Sequence, residues 1–131
     1  MKSDIDIKDE LFLALKDSPL AKAVTGELLK TKRPKNSKKE DILISVLANE
    51  GVQKQEAVAN VNIYVEDNII DGQAEEDTIR LRELCNVAKE TMKTIRIRTV
   101  LLRVAPPRVF EVEGTNWHII NNRISYKIIN E

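Results

Sequence analysis

Two reactive side chains occur once each in this chain, the thiol of Cys85 and the imidazole of His118. A single cysteine cannot form an internal disulfide, and one cysteine with one histidine cannot complete a four-ligand zinc site. Cys85 lies on an apolar helical stripe, which predicts a buried small hydrophobic side chain rather than a nucleophile. His118 follows Trp117, and no serine lies in a GxSxG elbow that would supply the nucleophile a general base needs. The four glycines are scattered singly, so no glycine-rich phosphate loop is present. We therefore expect no catalytic, cofactor-binding or metal-ligating residues.

The first charged stretch is basic and covers residues 30–39, KTKRPKNSKK, with six lysines or arginines in ten residues. Its candidate interaction residues are Lys32, Arg33, Lys35, Lys38 and Lys39. Such a run is typical of a solvated hairpin tip, but it could also contact the phosphates of a nucleic acid. Such contacts neutralise the charge of the nucleic-acid backbone without recognising its base sequence. A small nucleic-acid-binding module is thus one alternative. Single-strand binding would also want stacking aromatics, and the chain has five in all.

The second charged stretch is acidic and covers residues 66–77, with six carboxylates in twelve residues. Its candidate interaction residues are Glu66, Asp67 and Asp71. The stretch weakly matches the start of a calcium-binding EF-hand loop, but Ile69 stands at a ligand position and Thr78 stands where a bidentate glutamate should close the site. Acidic residues here also complement the dipole of a following helix. An enzyme that relies on these carboxylates is a further alternative, although no pair among them stands out.

The two stretches together predict contacts between copies of the chain. Basic and acidic residues balance at 21 each, so the molecule is neutral while its charge is gathered in two complementary patches. Copies could meet head to tail through these patches, and such heterologous contacts close into rings when the rotation permits. The alternative is that both patches are merely solvated.

Length and composition indicate one soluble domain spanning residues 1–131. A chain of 131 residues with 42% apolar content can bury an ordinary core without disulfides or metals. No apolar run approaches the roughly 18 residues that a membrane span needs. The first ten residues, MKSDIDIKDE, are polar and acidic, unlike a signal peptide. We expect a protein made in a reducing cytoplasm, with no membrane partner.

The elements that must position these stretches follow from apolar periodicity. Isoleucine and valine number 26 against 12 leucines, which favours a sheet. Helical spacing predicts helices at residues 4–16 and 74–93. The stripe of the second helix comprises Leu81, Leu84, Cys85, Ala88, Met92 and Ile95. Strands are predicted at residues 41–47 and 58–65, with a weaker one at 24–30; in the second strand, Ala59, Val61, Ile63 and Val65 face one way.

The last third of the chain returns to a strand pattern. Strands are predicted at residues 95–104 and 108–113, separated by Pro106 and Pro107, which cannot donate to a central ladder. Asn121 and Asn122 predict the turn of a terminal hairpin, since asparagine tolerates positive φ. The strand after the prolines and the final strand are the predicted sheet edges, available for pairing between subunits. Removing residues 123–131 should then abolish assembly. The order helix, strands, helix, strands predicts an α+β fold with a largely antiparallel sheet packed by two main helices.

Several short strings precede the long second helix: Arg33-Pro34, Asn36-Ser37, Lys39-Glu40-Asp41-Ile42 and Asn60-Val61-Asn62-Ile63-Tyr64-Val65. Together with the layout of the segments, they resemble small prophage-encoded proteins of the tail terminator, or tail completion, type. The resemblance implies an α+β subunit of a ring, commonly a hexamer, that ends the tail tube and joins it to the head. It implies no enzymatic activity and no cofactor.

The partners that the resemblance implies are other copies of the chain, the tail tube and head-connector proteins. The basic loop would contact a neighbouring subunit, the tube or, transiently, passing DNA. The same loop could belong to a head-closure protein of the same neck region. The implied location is the virion, with assembly in the host cytoplasm.

Overall fold

A computed structural model describes residues 1–51 and 54–129, and this part of the chain forms three helices and eight strands. The helices are α1 (Asp4–Leu15), α2 (Pro19–Ala23) and α3 (Thr78–Thr94). The strands are β1 (Leu28–Leu29), β2 (Ile42–Glu50), β3 (Glu56–Glu66), β4 (Asn68–Ile70), β5 (Gln73–Glu75), β6 (Val100–Val104), β7 (Arg108–Val112) and β8 (Trp117–Ile128). The α+β class is as predicted.

The main sheet has the strand order β1, β2, β3, β8 and then β6 and β7, which both pair with β8. Every pairing in it is antiparallel except the short parallel ladder between β1 and β2. β6 lies beside residues 124–128 of β8 and β7 beside residues 117–121, so the two form one broken edge. The break falls at residues 105–107, where Pro106 and Pro107 have no N–H to donate.

The helices begin where their sequences supply caps. The Ser3 hydroxyl accepts from the N–H of Asp6, whose carboxylate accepts from the N–H of Ser3, forming a capping box. α1 ends at Leu15, and Ser18 then caps the short α2, which the sequence had not indicated. Asp77 caps α3. The predicted helix starts four residues too early, because residues 73–75 form β5 instead.

The core lies on one face of the sheet, beneath α1 and α3. The alternation predicted for β3 is confirmed, since Ala59, Val61, Ile63 and Val65 are all buried. Ile124, Tyr126 and Ile128 of β8 are buried on the same face. On the opposite face, the Asn121 amide donates to the side-chain oxygens of Asn60 and Asn62 in the neighbouring strand.

The predicted terminal hairpin is wrong. Residues 117–128 form the single strand β8, and neither Asn121 nor Asn122 has the positive φ that the turn would require. β8 is also a central strand and not an edge, because β3 pairs along one side while β6 and β7 pair along the other. Two consecutive asparagines fit here because one faces the hydrogen-bonded asparagine cluster and the other lies buried on the core face.

The remaining strand predictions differ in length. Of residues 24–30, only Leu28 and Leu29 form a strand, and of residues 95–104 only the last five do. The edge strand after the prolines is confirmed as β7. None of the helices in the described residues is long and apolar enough to cross a membrane.

Candidate functional site

Arg33 of the basic loop lies between two aromatic rings on the face of the sheet opposite the helices. Its guanidinium carbon is 4.2 Å from the ring centroid of Tyr64 and 4.5 Å from that of Trp117. The rings come together because Tyr64 on β3 and Trp117 on β8 are diagonal neighbours across one pair of strands. A guanidinium this close to a ring is attracted by its quadrupole. Arg33 therefore fixes the loop to the sheet.

Arg33 is also paired with the buried carboxylate of Asp41. The Arg33 Nε lies 3.1 Å from Asp41 Oδ2, which also accepts from the Ser37 hydroxyl at 2.7 Å. The backbone N–H of Glu27 donates to the other carboxylate oxygen at 3.1 Å. Burial opposes ionisation, but the hydrogen bonds from Ser37, Glu27 and Arg33 outweigh it and hold the pKa of Asp41 below its ordinary value. Arg33 is thus a structural residue and not a free phosphate ligand.

The end of the loop is held by a second arginine from α3. Arg80 donates through Nε and Nη2 to the two carboxylate oxygens of Glu40, each at 2.7 Å, and also to the backbone oxygen of Ala23. Bidentate pairs of this kind are among the stronger ionic contacts in proteins. The basic loop is therefore clamped at residues 40–41, next to the start of α3.

The lysines of the loop divide into paired and unpaired groups. Lys30 binds Asp9 of α1 at 2.7 Å, and Lys38 lies 3.9 Å from Glu66 at the end of β3. Lys32, Lys35 and Lys39 are exposed, and their side chains form no ion pair within residues 1–51 and 54–129. We call these three the lysine face. It is the part of the predicted basic patch that remains available to a partner.

The acidic stretch divides in the same way. Glu66 faces Lys38, and Asp67 is buried against His118, with 2.6 Å between Oδ1 and Nδ1. Two of the three predicted acidic residues therefore have partners within the chain. Asp71 lies apart from them and is exposed, like Glu75 and Glu76. The predicted patches thus meet at Lys38 and Glu66 inside one molecule, while their outer charges stay free.

Asp71 and Glu75 belong to a hairpin that the sequence pattern had not predicted. β4 and β5 pair only with each other, and all six of their residues are exposed. Asp71 and Gly72 link them with φ values of 51° and 77°, the positive pair that a type I′ turn requires. We call residues 68–75 the hairpin arm. An Asp-Gly pair between short apolar runs is a strong hairpin signal, and it was available in the sequence.

The hairpin arm carries apolar side chains that are half or more exposed. Ile69 is 60% exposed and Ile70 is 50% exposed, although they point to opposite sides of the arm. A two-stranded hairpin that buries little is only marginally stable in water. The arm is therefore an exposed ribbon with apolar side chains, outside the main sheet.

No protein-family model matches the chain, and no curated protein shows significant similarity to it.

The two reactive side chains, Cys85 and His118, belong neither to the lysine face nor to the hairpin arm. Cys85 is half-buried on α3, where burial raises the pKa of its thiol while Lys89 opposes that effect. His118 and Asp67 form a pair at the end of β3, and within residues 1–51 and 54–129 no serine, threonine or cysteine side chain is hydrogen-bonded to it. The described residues contain no cluster of three or more potential metal ligands.

Proposed function

We propose that this chain is a non-enzymatic phage or prophage structural protein that works as one subunit of a ring. In that role it would end the tail tube and join it to the head, in the manner of tail terminator proteins. The observation that carries the proposal is the hairpin arm, whose two isoleucines are exposed on a ribbon with no cover of its own. A monomer gains nothing from such a ribbon, whereas a subunit that docks on a neighbour buries it.

The occupant that best fits the arm is a second copy of the chain. The arm carries exposed carboxylates at Asp71 and Glu75, with the exposed Glu76 directly after it, and the lysine face carries three exposed ammonium groups. Neither set forms an ion pair with any of the described residues; the Glu76 carboxylate accepts only from the Thr78 hydroxyl. Placing the arm of one subunit on the lysine face of the next would give both sets of charges a partner of opposite sign. Such a contact is heterologous, and repetition with a closing rotation produces a ring.

The way in which the arm is attached to the rest of the molecule supports this role. The arm leaves the end of β3 and leads directly into α3, and both elements are fixed in the core through Val65, Leu81 and Leu84. Its base is further held by the Asp67–His118 contact. An arm mounted in this way presents its tip in one orientation, which limits the ordering cost of binding.

A second candidate role uses the lysine face alone. Lys32, Lys35 and Lys39 could contact phosphates, as in a nucleic-acid-binding module or during passage of DNA through the ring. Removing all three lysines would then weaken binding of a DNA duplex, and binding would fall steeply with salt. A head-closure subunit of the same neck region would show the same ring contacts and differ in its protein partners.

The test is the mass of the protein in solution, measured by sedimentation over a wide concentration range. We expect the wild-type chain to form closed oligomers, and the double substitution Ile69→Asp with Ile70→Asp to remain a monomer. The control is Ile5→Asp with Leu13→Asp on α1, where the side chains are 61% and 63% exposed. The control should assemble normally. The proposal is wrong if the wild type is monomeric at every concentration, or if the arm variant assembles like the control.

A further inference from the structure

One face of the main sheet is left uncovered by the helices. Apolar side chains of all three helices join a single core cluster, which lies against the other face. The uncovered side is formed by alternate residues of the strands, and at its centre residues 58, 60, 62 and 64 of β3 lie beside residues 125, 123, 121 and 119 of β8. We call it the open face.

Three exposed arginines form a row along the open face. Arg123 lies on β8, while Arg108 of β7 is paired with residue 121 and Arg103 of β6 with residue 125. Paired residues of antiparallel strands project to the same face, so the three side chains follow one another in steps of about 7 Å along the strand direction. None of them forms an ion pair with a residue that the structure describes. We call these three residues the arginine row.

The arginine row is not balanced by carboxylates on the open face. The acidic residues of β3 lie at its two ends, where Glu56 Oε1 is 3.8 Å from Lys127 Nζ and Glu66 Oε2 is 3.9 Å from Lys38 Nζ. Between these ends, the residues of β3 and β8 on this face are uncharged apart from Arg123. The row therefore attracts a polyanion, and its like charges oppose stacking against the same face of a second copy.

Side-chain amides with unused hydrogen-bonding groups lie beside the arginine row. Asn121 Nδ2 donates to Oδ1 of Asn60 at 3.1 Å and to Oδ1 of Asn62 at 2.7 Å. The Nδ2 groups of Asn60 and Asn62, and Oδ1 of Asn121, form no hydrogen bond with a described residue. The cluster thus offers both donors and an acceptor, as the edges of unpaired bases do.

The open face also collects aromatic side chains. The chain has five, and three of them lie here, namely Tyr64, Phe110 and Trp117. Arg33 packs on the rings of Tyr64 and Trp117. Phe110 is 44% exposed, the most of the five, and the Arg108 guanidinium carbon is 5.1 Å from its ring centroid. Phe110 is therefore a platform on which a base can stack beside a cation.

We infer that the open face binds single-stranded nucleic acid. The arginine row would pair with successive phosphates, the asparagine amides would meet base edges, and Phe110 would stack on a base. An unpaired strand supplies all three kinds of group, whereas a duplex keeps its bases stacked inside, and an acidic peptide matches only the arginines. The site uses neither the lysine face nor the hairpin arm, so it does not depend on the proposed ring.

The test is the binding of fluorescein-labelled oligonucleotides to the full chain, followed by fluorescence anisotropy. The probes are oligo-dT and oligo-U of about twelve nucleotides, a length that such sites can cover, and a DNA duplex of the same length. We expect the preferred single strand to bind about fivefold or more tighter than the duplex, because it can stack on Phe110. The tighter of the two single strands identifies DNA or RNA as the ligand.

Variants of the open face separate charge from stacking. The arginine-row variant carries Arg103→Gln, Arg108→Gln and Arg123→Gln. It should bind the preferred strand about tenfold or more weaker, and the slope of log K against log salt should become shallower by about 2. Phe110→Leu should weaken binding about fivefold or more without changing that slope.

The matched control removes three positive charges from the helix side of the molecule. It carries Arg82→Gln, Lys89→Gln and Lys93→Gln on α3, and it should bind like the wild type. Every substituted residue is exposed, so all three variants should fold, which circular dichroism checks.

Three results would overturn the inference. The first is that neither single strand binds better than the duplex. The second is that the arginine-row variant binds like the α3 control, in which case any binding belongs elsewhere, such as the lysine face. The third is that a polyglutamate peptide displaces both oligonucleotides and binds more tightly than either, which would assign the arginine row to an acidic protein.

Discussion

At the scale of single residues, Arg33 shows how a side chain from a basic run can be structural. Its charge meets Asp41, and its flat face meets the rings of Tyr64 and Trp117. Lysine could supply the charge but not the planar group that stacks between two rings. The run of basic residues does not indicate this role, because both aromatic partners lie more than thirty residues away in the chain.

The stacking predicts a graded loss of stability on substitution of Arg33. Arg33→Lys should lower the free energy of unfolding by about 1 kcal/mol through loss of stacking. Arg33→Ala should cost about 2 to 3 kcal/mol, because it also leaves the buried Asp41 carboxylate without its cation. Urea unfolding followed by far-UV circular dichroism measures both. Lys35→Ala, an exposed control in the same loop, should stay within about 0.5 kcal/mol of wild type; equal effects at both positions would refute this role of Arg33.

Tyr126 provides a residue-scale prediction about pH. Burial, together with the hydrogen bond from its hydroxyl to the Glu10 carboxylate, raises the pKa of Tyr126 above its ordinary value. The folded state therefore keeps this proton where the unfolded chain loses it, so stability is present below about pH 10 and falls as the pH rises further. An absorbance titration should show Tyr126 ionising only as the protein unfolds. Tyr126→Phe should remove that late step; its persistence in the variant would contradict the assignment.

At the scale of elements, the periodicity of apolar residues predicted helices and strands better than turn-forming residue pairs predicted turns. The alternation at residues 58–65 depends on near neighbours, and it was visible in the sequence. The two asparagines of β8 looked like a turn, because their hydrogen bonds go to strands about sixty residues away. The acidic residues after the Asp-Gly pair also suit a helix start, so the pattern there predicted a helix and not a hairpin. Some of the eight predicted interaction residues have partners that are distant in the sequence. The spacing of residues along the chain cannot reveal such partners.

The central position of β8 changes what a C-terminal truncation should do. Residues 124–128 fill the core through Ile124, Tyr126 and Ile128, and they hold β6 on one side and β3 on the other. Removing residues 123–131 should therefore abolish folding itself, and the loss of assembly would be a consequence. Circular dichroism of the truncated chain should show no cooperative thermal unfolding. A truncated chain that melts cooperatively as a monomer would show that β8 is dispensable.

At the scale of the whole molecule, equal numbers of positive and negative residues do not mean an even surface. Pairing within the chain uses Lys38, Glu66 and Asp67, and leaves the lysine face and the outer hairpin arm free. The remaining charges on the two surfaces are opposite in sign. Under the proposed function, the arm of one copy would dock on the lysine face of another copy but not on a second arm.

The most direct test of this directional contact is a mixing experiment, read as mass by sedimentation. One variant lacks the arm through Ile69→Asp with Ile70→Asp, and the other lacks the face through Lys32→Glu, Lys35→Glu and Lys39→Glu. Each variant alone should be a monomer. The equimolar mixture should form a heterodimer and stop there, because the intact arm of one can dock on the intact face of the other. A mixture that stays monomeric, or a face variant that assembles by itself, would contradict the account.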